Sequence, residues 1–214
     1  MYYNLLIYWR KHSAINEALF FFIIVVILFG LCQAHHYNST WQNLNFLWLS
    51  LVFASLLSLD SLFEQDKQDG TIDTILLYPF PIIFSYIYKQ IIAHFLFKIC
   101  PLLLVYIPAG LLLKISMDIL LFSLLNFTIA AIGLIFLSSL CAALRVNKLN
   151  PSFLRFIIIL PLSTPLWLFA FGSIENFMQN RAVYAALAFL IALTLLFAII
   201  GPVFCSFILR HLNE

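Results

Sequence analysis

The chain has 214 residues, of which 64% are hydrophobic and 9% charged, with a formal net charge of +2 and a mean hydropathy of +1.05. An average soluble domain is roughly 45–50% apolar and about 25% charged, so a cytosolic or secreted enzyme, a nucleic-acid binder and a disordered chain are excluded. What remains is an all-α integral membrane protein, in which about 20 apolar residues make each crossing.

The first dozen residues, Tyr2 to His12, mix aromatic rings with the basic pair Arg10-Lys11. They suit an amphipathic helix over about residues 1–17, lying at the bilayer interface, with an unstructured tail as the competing reading. Six apolar runs follow, over roughly 18–34, 44–63, 91–113, 118–144, 153–174 and 182–209. A membrane barrel would alternate apolar and polar residues, whereas Phe20 to Leu28 is apolar on every face, as a lipid-exposed helix is. The first run ends Gly30-Leu31-Cys32 without the small residue expected before a cleavage position, and is read as a retained span. Cys32, Cys100, Cys141 and Cys205 all lie inside apolar runs and form no C-x-x-C pair, which makes them packing residues.

Basic residues set the orientation. Arg10, Lys11, Lys67, Lys89, Arg145, Lys148, Arg155 and Arg210 fall on one side of a six-span arrangement, and Lys114 and Arg181 on the other. This asymmetry predicts six transmembrane helices with both termini in the cytoplasm, in a single domain over 1–214. His35 and His36 then fall at the outer end of the first span and His94 near the inner end of the third. Each is either an interfacial hydrogen-bonding group or an axial ligand to haem iron.

The longest polar stretch, Asp60 to Asp73, carries five of the nine acidic residues and opens a cytoplasmic loop over about 60–81. On a helix Asp66, Asp69 and Asp73 share one acidic face, with Leu62 and Phe63 anchoring its start in the membrane. Gly70 is placed to end one short helix by adopting positive φ, with Asp69 or Thr71 capping the next. Pro79-Phe80-Pro81 then stops the backbone before the third span. The predicted form is helix, sharp turn, short helix, proline stop, which serves either as a solvated loop or as an element touching a soluble partner. Asp66 and Asp69 resemble half of a metal site, but no histidine lies nearby, so no metal is expected.

Prolines fall in pairs inside the predicted helices: Pro101 and Pro108 in the third, Pro161 and Pro165 in the fifth. Each frees a backbone carbonyl, and Ser163 and Thr164 supply hydroxyls beside the second pair. These are structural kinks or moving hinges. No G-x-x-x-x-G-K-[ST] loop, G-x-S-x-G or H-E-x-x-H occurs, so the chain cradles no ATP phosphates itself and is read as a non-enzyme. If it moves a substrate, the energy comes from another protein.

Leu62-Phe63-x-x-Asp66-x-Gln68-Asp69-Gly70, Tyr78-Pro79-Phe80-Pro81, Lys89 with Ala93-His94, Pro101-Leu102-Leu103 and Leu160 to Leu166 together resemble the CcmB family. That family is the membrane component of the haem-exporter ABC complex of cytochrome c maturation. The likeness covers nearly the whole chain. It departs at Glu17-Ala18, where the family commonly has Asn-Pro, and at Leu149-Asn150-Pro151, where it has a Gly-Gly pair. The resemblance implies a six-span, ABC-2-type permease subunit in the bacterial inner membrane, with a coupling loop at Leu62, Phe63, Asp66, Gln68, Asp69, Gly70 and Asp73. It further implies ATP bound by a CcmA-like partner, a second copy of the chain, CcmC- and CcmD-like membrane proteins and a CcmE-like haem chaperone. The resemblance leaves two routes open: haem itself is transported through the permease, or ATP hydrolysis instead releases the haem-loaded chaperone from the CcmC-like protein. The alternatives are a non-transporting scaffold for haem-handling proteins and an ABC-2 permease for another substrate.

Overall fold

The computed structural model describes residues 13–32, 39–58, 62–146 and 152–211. The predicted interfacial segment before residue 13, His35 and His36, and the loop around Lys148 lie outside them. Every regular element among the described residues is helical: α1 (Ser13–Cys32), α2 (Thr40–Ser58), α3 (Glu64–Gln68), α4 (Thr71–Ile75), α5 (Phe80–His94), a π-helical turn (Phe95–Ile99), α6 (Cys100–Leu112), α7 (Met117–Val146), α8 (Ser152–Met178) and α9 (Tyr184–His211). Three stretches, Phe80–Leu112, Met117–Leu140 and Tyr184–Arg210, are long and apolar enough to cross a membrane, and Glu17–Cys32 is a shorter apolar helix. The regular structure of the described residues is therefore wholly helical, and the chain is a multi-pass membrane protein.

Each predicted apolar run coincides with a long helix, but three helices begin at least four residues earlier than expected: α1 at Ser13, and α2 and the helix after the proline stop, these two for reasons of capping. Ser39 and Gln42 close a reciprocal box ahead of α2: Gln42 N donates to Ser39 Oγ at 3.3 Å and Ser39 N to Gln42 Oε1 at 3.0 Å. The helix after the proline stop begins at Phe80 and not near residue 91. Pro79 (φ −61°, ψ 152°) is its N-cap, and Pro81 sits in the first turn, where a missing N–H costs nothing. Pro101 explains the π-helical turn that precedes it. In an α-helix its ring would strike the carbonyl of Phe97; here the turn widens, and Cys100 N–H bonds to Phe95 O five residues back.

Packing centres on Trp48 of α2, which is fully buried. Its ring stands edge-on to Phe127 of α7 (centroids 5.3 Å, 89°) and to Trp167 of α8 (5.7 Å, 77°), and tilted on Phe171 (4.9 Å). It thereby joins the group formed by α1, α2 and α6 to the group formed by α7, α8 and α9. In the second group Thr194 Oγ1 of α9 donates to the Ile129 carbonyl of α7 at 3.2 Å. A Cβ on Gly201 would run into the backbone of Phe136, so α9 and α7 meet there main chain to main chain.

Candidate functional site

The hairpin between α2 and α5 carries the sequence features that neither packing nor lipid contact accounts for. Gly70 (φ 71°) occupies the left-handed region and separates α3 from α4, a conformation that glycine adopts without a Cβ penalty. Its carbonyl accepts from Thr74 N at 3.2 Å and from Thr74 Oγ1 at 3.1 Å, which closes the first turn of α4. Across the glycine, Lys67 Nζ pairs with Asp73 Oδ1 at 2.7 Å. Helix, left-handed turn, short helix and proline cap thus follow in the expected order.

Three details differ from the sequence expectation. Leu62 and Phe63 are 2% and 1% exposed, so they anchor the hairpin inside the protein and not in lipid. Gly70 itself is the N-cap of α4, with no side-chain cap from Asp69 or Thr71. The single acidic face does not form, because Gly70 breaks the helical register between Asp66 and Asp73. Asp66 turns toward α5, where its Oδ2 accepts from Tyr86 OH and, at 2.8 Å, from Gln90 Nε2. Gln68 and Asp69 remain exposed at the turn.

Below the hairpin the bonding continues toward the membrane helices. Gln90 Nε2 also donates to the Leu62 carbonyl at 3.3 Å. His94 is 6% exposed and its Nε2 lies 3.3 Å from Ser58 Oγ. That hydroxyl donates to Ser55 O at 2.7 Å, which leaves it to accept from the imidazole. Lys98, 5% exposed, donates from Nζ to the Ser58 carbonyl at 3.4 Å, at the end of α2. His94 is therefore a buried hydrogen-bonding group. Tyr86, Gln90 and Lys98 were not singled out from sequence, although polar residues recurring every four positions through an apolar stretch are a readable signal.

The paired prolines lie elsewhere. Pro101 opens α6, and Pro108 sits inside it with its ring exposed. Pro161 and Pro165 are inside α8, and Pro161, Ser163 and Thr164 line a cavity of about 650 Å³ with Trp41 and Phe53 of α2 and Trp167 of α8. The walls are almost wholly apolar, so the cavity suits an apolar occupant and not an ion. Among the described residues no group of three or more His, Cys, Asp or Glu side chains is placed to hold a metal ion.

A family model described as CcmB protein matches residues 1–211. The chain is 32% identical over 166 residues to a protein named Heme exporter protein B from Bradyrhizobium diazoefficiens, an alignment covering 77% of this chain and 74% of that one. It is 29% identical over 195 residues to a protein of the same name from Pseudomonas aeruginosa, covering 90% and 86%. The Escherichia coli protein of that name is 29% identical over 194 residues, covering 90% and 88%.

Proposed function

Since the chain belongs to the CcmB family, we propose that it is the membrane permease subunit of an ABC complex for haem export in cytochrome c maturation. The observation that carries this reading is the match along almost the entire chain, together with relatives named Heme exporter protein B that align over most of both lengths. Six spans, cytoplasmic termini and a location in the bacterial inner membrane complete the reading, supported by the distribution of basic residues.

ATP is bound and hydrolysed by a separate CcmA-like subunit, in a complex with a second copy of this chain, CcmC- and CcmD-like membrane proteins and a CcmE-like chaperone. An ATPase that lies outside the membrane must act on its permease through a folded element, and the hairpin of α3 and α4 is such an element. Its left-handed turn and the Lys67–Asp73 pair fix its shape, while Gln68 and Asp69 stand exposed at its tip. Haem is the substrate of the complex, and Pro161 and Pro165 serve as hinges in α8.

Deleting the gene and measuring haem-containing c-type cytochromes in the periplasm tests the reading. Their loss, restored by the wild-type chain, is the expected result. Normal maturation without the chain would overturn it, and a permease for another substrate would then be the better account.

A further inference from the structure

Tyr86, Gln90, His94 and Lys98 stand four residues apart, and each bonds to the segment that runs from the end of α2 into α3: Tyr86 and Gln90 to Asp66, Gln90 to Leu62, His94 and Lys98 to Ser58. Polar side chains at this depth persist where they face protein, and here all four face the same stretch of chain. An α-helix turns about 100° per residue, so steps of four overshoot a full turn by about 40° each and would carry the fourth residue well off the face of the first. The π-helical turn at Phe95–Ile99 begins directly after the third and contains the fourth. With more residues per turn it rotates less per residue, and so returns Lys98 to the common face. The buried ammonium meets the carbonyl end of α2, where the helix dipole favours a cation.

We propose that Tyr86, Gln90, His94 and Lys98 form one fastening strip that holds the hairpin and the end of α2 to α5 as a single body. Lys98 is the innermost positioning residue, brought into register by the π-turn. A force applied to the hairpin is then delivered to the long helix and does not merely bend the connection. The delivery of force rests on the docking role given to the hairpin above; the fastening does not.

Trypsin digestion of the purified chain in lipid nanodiscs measures the fastening. Lys67 lies in the hairpin, whereas Arg181 lies in the exposed connection between α8 and α9 and reports general loosening. Gln90→Leu and Lys98→Met are each expected to speed cutting after Lys67 about fivefold, and together about 25-fold, the scale of one and two net hydrogen bonds. Cutting after Arg181 stays unchanged, and Lys98→Arg digests like wild type. A wild-type rate after Lys67 in the double variant, or a rise matched at Arg181, overturns the proposal. A chain whose hairpin loosens as expected in these variants, but whose wild-type form retains no ATPase on purification, upholds the fastening and overturns the docking role alone.

Discussion

Lys67 and Asp73 meet at 2.7 Å across Gly70, so a single ion pair spans the left-handed turn and ties α3 to α4. Both side chains are partly open to solvent, at 34% and 53%. Screening limits such a pair to about 0.2–1 kcal/mol. Asp73→Asn is therefore expected to keep cytochrome c maturation within about twofold of wild type. A severe defect in haem-stained periplasmic extracts would mean that the Asp73 charge is needed for more than the pair with Lys67.

Gly70 is expected to be far less tolerant, and for a reason separable from space. A Cβ there meets nothing within 4 Å, so only the backbone conformation at φ 71° resists substitution. Gly70→Val should cost about 1–3 kcal/mol of strain and reset the angle between α3 and α4, whereas Gly70→Asn, which tolerates the left-handed region, should be mild. Membrane insertion should be normal for both, with loss of ATPase copurification for valine alone. Wild-type copurification with Gly70→Val would remove the hairpin from the docking surface.

Replacing Pro161 and Pro165 together by Ala restores two backbone donors inside α8, beside the cavity shared with α2. The double variant should insert and accumulate normally but mature cytochrome c poorly. Full maturation at equal expression would make the two prolines packing features.

Trp48 touches aromatic rings on α7 and α8. Trp48→Ala leaves a large cavity at the junction of the two helix groups and should cost about 3–5 kcal/mol, while Trp48→Phe should cost less. Thermal unfolding in detergent orders the variants; an unchanged midpoint for Trp48→Ala would show that the two groups unfold independently.

Topology is checked by alkaline phosphatase fusions. Activity after Asn38 and none after Asp69 is expected from the placement of basic residues. An active fusion at Asp69 would invert the orientation and put the hairpin beyond the reach of a cytoplasmic ATPase.

What could be read from sequence was whatever acts locally. Apolar runs announce helices because lipid leaves the backbone no other partner, and Gly70 and Pro79-Phe80-Pro81 announce the turn and the helix start through their own φ preferences. The acidic face failed because Gly70, correctly identified, also breaks the register on which that face depended, and because Tyr86 and Gln90 claim Asp66 from 20 and 24 residues away. The partner of His94 was illegible for the same reason: Ser58 lies 36 residues back, and only the fold brings them together. The π-turn follows from Pro101, but a proline in an apolar run is compatible with a kink, a break or a widened turn. Neighbouring residues do not decide among them.

The stretch Phe80–Leu112 runs 33 residues without a break. At 1.5 Å per residue that is about 50 Å, against about 30 Å of hydrocarbon. Even at a steep tilt of about 40° it rises by about 38 Å. No orientation lets the bilayer swallow it whole, so one end must stand in the headgroups or in water. The Leu113–Lys114 end turns back at once into α7, whereas the Phe80 end carries the hairpin and an apolar edge, with Leu77 at 86% and Tyr78 at 51% exposure. An overlong helix of this kind has length to spare along the part where Tyr86 and Gln90 hold Asp66, so the hairpin is carried on the side of a helix end that need not lie in the hydrocarbon.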